Sequence, residues 1–426
     1  MTFDEAYRRL LELPRFDKRG AAALKPGFER IERLLAAMGQ PDRAYRSVLV
    51  AGTNGKGSTA SMLAALCTAH GLRTGLHTSP HIRSVSERMR IDGAPAPPDW
   101  FADAVRRFSR TIDEVSPSFF EATLAFSLLY FAESGVDIGV VEVGLGGRLD
   151  ATNVLTPVAC AISRIGLDHM DFLGDTVELI AREKAGIIKP GVPVFTSNAD
   201  PVTVATIAES AEAVRAPMTT VSSAFPWYGV VPKLNGTVVD TRSARHDFRG
   251  LFVGLRGRHQ SENALLALSV AEYILDGLDV GRVRAGFADV ARLSGLRGRL
   301  EVLSDEPLIV ADAAHNPEGI QSALAWLADV RPDAAKVDVA MGLMRDKAVD
   351  EVAAILGPRV EVLYPIRLES ERALPAEELV SRFGPDVRSE APGSVADAMS
   401  RFRATATARR VLLILGSHTV LEQVIV

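Results

Sequence analysis

A glycine-rich segment, GTNGKGST at residues 52–59, constrains the fold of this 426-residue chain more than any other feature. It follows the apolar run 47–51, which is typical of a buried strand, and a helical pattern comes after it. A strand, a tight turn and a helix in that order direct backbone N–H groups and the positive end of a helix dipole at one point, which favours phosphate. Lys56 could reach the outer phosphates of a nucleotide, and Ser58 or Thr59 could contact a bound Mg²⁺. We therefore predict nucleotide binding, although two residues separate the first two glycines and the standard phosphate loop has four.

Composition limits the class of protein. Hydrophobic residues make up 47% and charged residues 24%, as in an ordinary globular protein, and a chain of this length is expected to form two domains. The net charge of −5, without a Lys/Arg block, argues against a nucleic-acid partner. The acidic segment 1–5 does not have the pattern of a signal peptide, and the apolar stretch 122–132 is too short to span a bilayer. We expect a cytoplasmic monomer without a membrane partner, in which Cys67 and Cys160 are core residues.

Apolar strand patterns alternate with helical patterns, which indicates an α/β fold with a mainly parallel sheet. Predicted strands lie at 47–51, 72–77, 137–143, 157–163 and 192–196, and later at 300–304, 307–312, 337–341, 360–364 and 410–415. Predicted helices lie near 58–70, 98–115, 119–134, 175–188, 200–213, 259–277 and 280–291, and later at 317–329, 348–356, 375–383 and 394–404. The short alternating pattern of 226–256 predicts an antiparallel hairpin or meander. A polar, glycine-bearing stretch at 292–298 predicts a linker, so we place a large domain at 1–296 and a smaller α/β domain at 297–426.

Ser79, Glu142 and His169 each stand at or beyond the carboxyl end of a predicted strand. Ligands of doubly wound sheets bind beyond these ends, so we expect the three side chains to lie near Lys56. An oxygen-and-imidazole set of that kind suits Mg²⁺ held between the protein and nucleotide phosphates. A single Glu or His at a strand end is more often a surface or capping group, so the prediction depends on the set.

Two further groups are less clear from pattern alone. In the second domain, Asn316 as a helix N-cap and Pro317 as the first helical residue explain part of the segment 312–317, but they leave Asp312 and His315 unexplained.

Lys184 lies on the charged side of the helical pattern 176–188, which by itself indicates a solvated lysine. The same helix has a capping-box pattern, Asp175 with Glu178, at its start.

Several motifs together resemble folylpolyglutamate synthase, including bacterial enzymes with dihydrofolate synthase activity, within the Mur ligase superfamily. They are GTNGKGS at 52–58, TSPH at 78–81, EVGLGGRLDATN at 142–153, GLDHMDFLGDT at 166–176, AREKAGIIKPG at 181–191, RGRHQSENALLAL at 256–268, DAAHNP at 312–317 and MGLMRDK at 341–347. The resemblance covers essentially the whole chain, and the stretch 142–191 is highly specific. It implies a Mur ligase-like fold, with a large P-loop-containing ATPase domain followed by a smaller Rossmann-like domain.

The resemblance also implies roles for particular residues. ATP would contact Thr53, Asn54, Gly55, Lys56, Gly57, Ser58, Asn263, Arg299, Asp312 and His315. Mg²⁺, with two ions expected, would be bound by Ser58, Ser79, Glu142, His169 and a carbamylated Lys184, which reverses the solvated interpretation of that lysine. The pterin substrate would contact Arg88, Arg148 and Asp150, and Lys56, Lys184 and His315 would take part in catalysis.

The implied reaction is ATP-dependent ligation of L-glutamate to a folate, to dihydropteroate or to both, through an acyl phosphate. A cell-wall Mur ligase acting on a UDP-linked substrate is the nearest alternative, and the motifs of 142–191 argue against it. A P-loop regulatory NTPase would leave Asp312 and His315 without a role. A catalytically inactive binding protein is disfavoured because Lys56 and Lys184 are both present.

Overall fold

The computed structural model describes residues 1–15, 27–407 and 409–425, apart from the side chains of Trp227 and Tyr228. The chain divides into two compact units. The first comprises Met1–Val230, Val238–Gly254 and Gln260–Leu296, and the second comprises Val231–Thr237, Leu255–His259 and Arg297–Val426. The predicted domains are continuous in sequence, whereas the second unit also includes two short segments from before residue 296.

The first unit is built on an eight-stranded sheet in the order β4-β3-β2-β5-β1-β6-β7-β8. Its strands are β1 (Arg46–Ala51), β2 (Thr74–His77), β3 (Met89–Ile91), β4 (Ala94–Pro95), β5 (Ile138–Glu142), β6 (Ala159–Ile162), β7 (Val194–Thr196) and β8 (Met218–Thr220). Neighbouring strands are parallel, except that β3 is antiparallel to both β2 and β4. The predicted α/β fold with a mainly parallel sheet is confirmed, and β3, β4 and β8 are short strands that the sequence patterns did not indicate.

The register of the three central strands determines where the site residues lie. Val50 of β1 pairs with Glu142 at the end of β5, and Ala51 of β1 pairs with Ile162 at the end of β6. The carboxyl ends of β5, β1 and β6 are therefore level with one another. All of β5 and β6, and all of β1 except its first residue, are buried, which explains why their sequences are continuous apolar runs.

Helices follow most of these strands, as the alternating pattern predicts. Those before residue 297 are α1 (Phe3–Leu11), α2 (Glu29–Ala37), α3 (Lys56–Ala69), α4 (Pro98–Arg107), α5 (Ser109–Val115), α6 (Phe119–Glu133), α7 (Met170–Leu173), α8 (Val177–Ala185), α9 (Pro201–Ala213), α10 (Val221–Ala224), α11 (His259–Ile274), α12 (Val280–Ala288) and α13 (Val290–Ser294). Helix α3 is buried along most of its length, because its apolar and small residues occur on every face.

Two helix predictions need correction. The predicted helix 98–115 is interrupted at Phe108 and forms α4 and α5. The capping box predicted from Asp175 and Glu178 is wrong, because Thr176 is the N-cap of α8 and its hydroxyl accepts a first-turn N–H. A Thr side chain at the N-cap satisfies a backbone donor without help from the preceding Asp.

The meander prediction is confirmed. Strands β9 (Trp227–Lys233), β10 (Gly236–Arg242) and β11 (Asp247–Val253) form a three-stranded sheet in the order β11-β10-β9. Only residues 234–235 and 243–246 connect them, and such short links join antiparallel strands, since parallel neighbours need a long crossover.

The second unit contains a six-stranded sheet in the order β12-β13-β17-β14-β15-β16. Its strands are β12 (Glu301–Asp305), β13 (Leu308–Ala311), β14 (Val337–Met341), β15 (Val360–Pro365), β16 (Arg388–Ser389) and β17 (Val411–Leu415), and its helices are α14 (Pro317–Val330), α15 (Val349–Leu356), α16 (Ala376–Phe383), α17 (Val395–Thr405) and α18 (His418–Glu422). Only β12 is antiparallel to its neighbour. Asn316 is the N-cap of α14 and Pro317 its first residue, as predicted.

Cys67 and Cys160 are both buried and unpaired, which confirms that they are core residues. Among the helices of the described residues, none combines the length and apolar character needed to cross a bilayer.

A buried ion pair stabilises the second unit and can be tested directly. Asp338 of β14 has a side chain only 1% exposed, and both its carboxylate oxygens accept from Arg410, at 2.6 and 2.9 Å. We expect Arg410→Met to lower the free energy of unfolding by about 3 kcal/mol, because it leaves a carboxylate buried without its partner. Urea denaturation measures this loss, and the double variant Arg410→Met/Asp338→Val should recover most of it.

The exposed pair Arg382–Asp350, also in the second unit, is the control, with a donor-acceptor distance of 2.8 Å. Arg382→Met should leave the denaturation midpoint unchanged, since exposed ion pairs contribute little. Equal effects of the two Arg→Met substitutions would contradict the prediction.

Candidate active site

The glycine loop connects β1 to α3 at the level carboxyl ends of the central strands. Gly52 has φ +147° and Gly55 has φ +89°, and Gly55 is the N-cap of α3. A Cβ atom at Gly52 would collide with Ser163 Oγ, and one at Gly55 would collide with Asn263 Oδ1. Both positions therefore require glycine for space as well as for backbone conformation. Because Gly55 has no side chain to cap the helix, the first N–H groups of α3 lie at an end suited to an anion.

The loop is held by the segment that follows β6. The backbone N–H groups of Thr53 and Asn54 donate to the Arg164 carbonyl oxygen, at 2.9 and 3.1 Å. The Ser163 hydroxyl lies 2.9 Å from the Asn54 carbonyl oxygen, and the Thr53 hydroxyl donates to Gly166 O at 3.0 Å. These bonds fix the loop conformation, and they direct the Thr53 and Asn54 amides toward Arg164.

Lys56 lies over its own loop. Its Nζ donates to the carbonyl oxygens of Gly52, at 3.0 Å, and Thr53, at 3.1 Å. The ammonium thus lies beside the glycine loop, next to the N-terminus of α3, which is suited to binding a phosphate.

A buried polar network joins the start of α3 to α11. Asn263 is 5% exposed and donates through Nδ2 to Gln260 Oε1 at 3.0 Å, while its Oδ1 accepts from the Thr59 hydroxyl at 3.4 Å. Gln260 Nε2 lies 3.5 Å from the buried Ser58 hydroxyl. Asn263, expected to contact ATP, therefore packs against the phosphate loop itself.

Glu142 and Ser79 meet at the ends of β5 and β2. The backbone N–H of Ser79 donates to Glu142 Oε2 at 3.0 Å, and Glu142 is 5% exposed. The prediction that these two strand-end residues come together is confirmed by this contact.

His169 follows β6 and has φ +52°, at the start of the short helix α7. Its backbone N–H donates to Asp168 Oδ1 at 2.9 Å, and its Nε2 lies 3.8 Å from Asp168 Oδ2. Asp168, which we did not include among the site residues, is thus the carboxylate beside His169. The DHMD order within residues 168–171 was the only sequence signal for it.

Lys184 is buried, at 3% exposure, although the helical pattern indicates a solvated residue. The glycine-rich loop after β5 packs on the backbone of α8 at this position, since a Cβ at Gly147 would lie 2.7 Å from Glu183 O and 2.9 Å from Lys184 O. Burial and the nearby charge of Lys56 lower the pKa of the Lys184 ammonium to about 7, against the opposing effect of Asp168. A lysine with this pKa is a substantially neutral amine near pH 7, and such a group can act as a nucleophile.

Arg148 and Asp150 lie in the loop that packs on α8 at Lys184. Arg148 Nη2 lies 2.7 Å from Glu183 Oε1, and the Arg148 N–H donates to Glu183 O at 2.8 Å. Asp150 accepts the N–H groups of Leu145, at 2.9 Å, and Thr152, at 3.0 Å. Burial raises the pKa of Asp150, and these bonds oppose the rise. Both side chains therefore hold the loop together, and their contact with a substrate stays a prediction.

Arg88 ends a one-turn helix, Val85–Arg88, and is 8% exposed. Its Nε donates to His81 Nδ1 at 2.8 Å, and its guanidinium carbon lies 5.2 Å from the centre of the Phe119 ring.

In the second unit, the predicted residues surround the end of β13. Asp312 accepts the N–H groups of Leu300, at 2.6 Å, and Ala314, at 2.7 Å. Burial raises the pKa of Asp312, while Arg299 opposes the rise. His315 Nδ1 lies 2.9 Å from Ala313 O, and since a carbonyl only accepts, this nitrogen carries the hydrogen.

The oxygen donors of the first unit are of the kind that bind a hard divalent cation together with the phosphate oxygens of a bound nucleotide. The described residues contain no cluster of three or more His, Cys, Asp or Glu side chains arranged around a metal. Mg²⁺ usually takes one or two carboxylates and completes its shell with water and substrate phosphates, so the Glu142 carboxylate and the Ser58 hydroxyl are donors of a suitable kind. The Lys184 ammonium does not fit such a site because it would repel the cation, whereas a carbamate on the same nitrogen would fit.

Two protein-family models match this chain and show which class of protein it belongs to. The model of the Mur ligase middle domain matches residues 50–271, and that of the Mur ligase glutamate ligase domain matches residues 298–418. The first covers the glycine loop, the strand-end residues and Lys184, and the second covers Asp312 and His315. The fold is that of a Mur-type ligase.

Individual relatives narrow the class. A dihydrofolate synthase/folylpolyglutamate synthase of Mycobacterium tuberculosis is 37% identical over 396 residues, which cover 85% of this chain and 79% of that protein. A probable bifunctional folylpolyglutamate synthase/dihydropteroate synthase of Haloferax volcanii is 34% identical over 99% of this chain, which spans 50% of that longer protein. The structure of Escherichia coli FolC in complex with DHPP and ADP is similar, with a TM-score of 0.85 and 28% identity over 100% of this chain and 97% of that one. The chain belongs to the folylpolyglutamate synthase/dihydrofolate synthase family of Mur ligases.

The packing of Gly55 against Asn263 generates a prediction. Gly55→Ala should weaken ADP binding at least about tenfold, because the new methyl displaces Asn263 and strains a residue with positive φ. Isothermal titration calorimetry with ADP and Mg²⁺ measures the affinity.

Gly71→Ala is the matched control, since Gly71 has φ +88° but no atom within 4 Å of an added Cβ. It carries the same backbone strain without the collision, so ADP affinity should stay at the wild-type value. Unchanged ADP affinity in Gly55→Ala would show that the contact with Asn263 does not shape the nucleotide loop.

Proposed function

We propose that this protein ligates L-glutamate to the carboxylate of a pterin substrate at the expense of ATP. The acceptor is dihydropteroate, a reduced folate such as tetrahydrofolate, or both. The observation that carries the proposal is the joining, in one unit, of the phosphate loop with its Lys56, the Glu142–Ser79 contact and the buried Lys184. Membership of the family supports the choice of substrates.

The proposed reaction has two steps. A carboxylate oxygen of the pterin substrate attacks the γ-phosphorus of ATP, the bond to the β-phosphate oxygen breaks, and ADP leaves with an acyl phosphate formed. The amine of L-glutamate then attacks the acyl carbon, loses a proton and expels phosphate. Activation is needed because a carboxylate is a poor electrophile and phosphate is a good leaving group.

Residues of the first unit would stabilise the phosphoryl group. The start of α3, with Gly55, Gly57 and Ser58, would hold the phosphates, and Lys56 would neutralise charge on the transferred group. Thr53 and Asn54, whose amide N–H groups are bonded to Arg164 O, would contact the nucleotide through other atoms. Catalysis would depend mostly on positioning. A protein that holds the reactants in a reactive geometry has already lost, on binding, the entropy that their encounter would otherwise cost in the transition state.

Mg²⁺ would be bound by Ser58, Ser79, Glu142, His169 and modified Lys184, in two sites. When bound, it supplies charge neutralisation on the phosphate oxygens. The buried Glu142 carboxylate is suited to this role because it is held at the sheet end by the Ser79 N–H.

Carbamylation of Lys184 is part of the proposal. Its neutral amine would add CO₂ to give a carbamate and release one proton. Because the pKa of Lys184 is lowered to about 7, the amine is mostly neutral above that pH and mostly protonated below it, so carbamate should increase as pH rises through 7. The modification replaces a cation beside Lys56 by an anion.

The remaining predicted residues complete the proposed sites. Asn263 of the first unit would contact the nucleotide, and Arg88, Arg148 and Asp150 the pterin substrate. In the second unit, Arg299, Asp312 and His315 would bind the nucleotide and the transferred phosphoryl group. We further propose a cytoplasmic monomer.

The function is tested by product mass. Purified protein is incubated with ATP, Mg²⁺, L-glutamate and either dihydropteroate or tetrahydrofolate, and products are examined by mass spectrometry together with ADP release. Addition of one glutamyl mass, with ADP formed only when pterin and glutamate are both present, is expected. ADP release without either substrate would instead identify a regulatory NTPase, and no glutamyl addition would refute the proposal.

Lys184→Ala should lose at least about 100-fold in activity, because it removes a proposed metal ligand, and small carboxylates should restore part of it. Independently of activity, ¹³C NMR of wild-type protein with ¹³C-bicarbonate should show a carbamate signal that strengthens from pH 6 to pH 8 and is missing in Lys184→Ala. Lys189→Met is the matched control, since Lys189 is half-buried nearby but donates to Asn153 O at 2.6 Å. A signal that persists in Lys184→Ala would exclude the carbamate at this residue.

A further inference from the structure

A chain of hydrogen bonds joins three segments of the first unit at one side of the Phe119 ring. Tyr7 of α1, His81 after β2 and Arg88 before β3 are linked in that order. Arg88 Nε lies 2.8 Å from His81 Nδ1, and Tyr7 Oη lies 3.2 Å from His81 Nε2. The rings of Tyr7 and His81 lie 6.5 and 6.4 Å from that of Phe119.

The direction of these bonds follows from the chemistry of the donors. The Nε of an arginine guanidinium can only donate, so His81 Nδ1 must accept with its lone pair. The ring hydrogen of neutral His81 is then on Nε2, which donates to the Tyr7 oxygen. One arrangement of hydrogens satisfies both bonds, so Tyr7 fixes the orientation of the His81 ring, and His81 in turn fixes Arg88.

Arg88 is therefore oriented by two independent contacts. Its Nε–H donates to His81 Nδ1, and its guanidinium carbon lies over the Phe119 ring, 5.2 Å from the ring centre. The residue is also 8% exposed, so water screens its charge poorly. A planar cation that is held in place before a ligand arrives binds a carboxylate with less loss of entropy than a mobile one.

The loop that carries His81 is itself fixed at both ends. The Glu87 carboxylate accepts the N–H groups of Ile82, Arg83 and Ser84, at 3.0, 3.0 and 2.9 Å. At the other end, the Ser79 N–H donates to Glu142. His81 thus stands two residues from the proposed metal-binding carboxylate contact and bonds directly to the proposed substrate residue.

We propose that Tyr7 and His81 are positioning residues that hold the Arg88 guanidinium for the carboxylate-bearing part of the pterin substrate. The inference depends on the proposed function, in which Arg88 contacts that substrate. It gives roles to Tyr7 and to His81, the last residue of the TSPH motif, that the resemblance does not state, and it predicts that both act on the pterin substrate alone.

Steady-state kinetics of four single variants test the inference. His81→Phe keeps a ring but removes both nitrogens, and Arg88→Lys keeps the charge but removes the in-plane Nε donor. Each should raise KM for the pterin substrate about tenfold, with the KM values for ATP and glutamate within about twofold of wild type. Tyr7→Phe, which removes one oxygen, should raise the pterin KM by about threefold.

His81→Gln provides the rescue, because its amide offers one acceptor and one donor in place of the two ring nitrogens. Its pterin KM should lie between those of wild type and His81→Phe. A merely structural role would not give this order, and it would alter thermal stability and the KM values for all three substrates together.

The outcomes separate this inference from the proposed function. Pterin KM values of His81→Phe and Tyr7→Phe equal to wild type, or a matching rise in the KM for ATP, would overturn the positioning role while leaving the ligase function intact. If His81→Phe does not fold, Tyr7→Phe decides by the same criterion. Absence of glutamyl transfer by the wild-type enzyme would refute the proposed function and this inference with it.

Discussion

Lack of space for side chains in the phosphate loop is the constraint on which the rest of the site depends. Gly52 packs against Ser163, and Gly55 packs against Asn263, so closely that neither could carry a Cβ. The loop therefore lies directly between the end of β6 and helix α11, and its conformation is set by neighbours on both sides. Because the loop amides of Thr53 and Asn54 also bond to Arg164 O, the helix end at α3 is held in a fixed direction. A binding site built from backbone in this way loses little entropy when an anion arrives.

Close backbone packing at a glycine also occurs beside Lys184, the buried lysine with a lowered pKa. Gly147 lets the loop after β5 approach the backbone of α8 closely at Lys184, whose side chain is buried within the influence of the Lys56 charge. Two lysines in one poorly solvated place repel each other, so the cost is reduced by loss of a proton from Lys184, whose pKa falls to about 7. A carbamate would remove the repulsion altogether and add an oxygen ligand. Residues 147 and 184 are 37 positions apart in the sequence, and packing of the loop on α8 brings them together.

Sequence patterns predicted the features that depend on neighbouring residues in the sequence, such as strands and the polar residues at their ends. They missed burial and hydrogen bonds that depend on segments from elsewhere in the chain. Strand β5 and Glu142 at its end were predictable, because a buried parallel strand is apolar throughout and a polar residue marks its carboxyl end. Lys184 was placed on a solvated face, since helical periodicity does not reveal a loop that packs on the helix; only the family resemblance corrected it. Asp168 beside His169 and the bonds of Ser163 to the loop were missed for the same reason. The assignment of the N-cap to Asp175 was wrong because Thr176, one residue later, is also a good capping residue. Its hydroxyl accepts the Leu179 N–H in the structure.

Lys56 shows how the site can be ordered before its proposed substrate binds. Its ammonium donates to two carbonyl oxygens of its own loop, so its long side chain is already confined to the place where phosphate is expected. Binding of ATP would exchange these neutral acceptors for charged phosphate oxygens, so the ammonium would gain the attraction of opposite charges at close range. Much of the side-chain entropy of Lys56 has already been lost on folding, because both hydrogen bonds confine its Nζ. A lysine held in this way contributes more to binding of the charged phosphoryl group than one that must first be ordered.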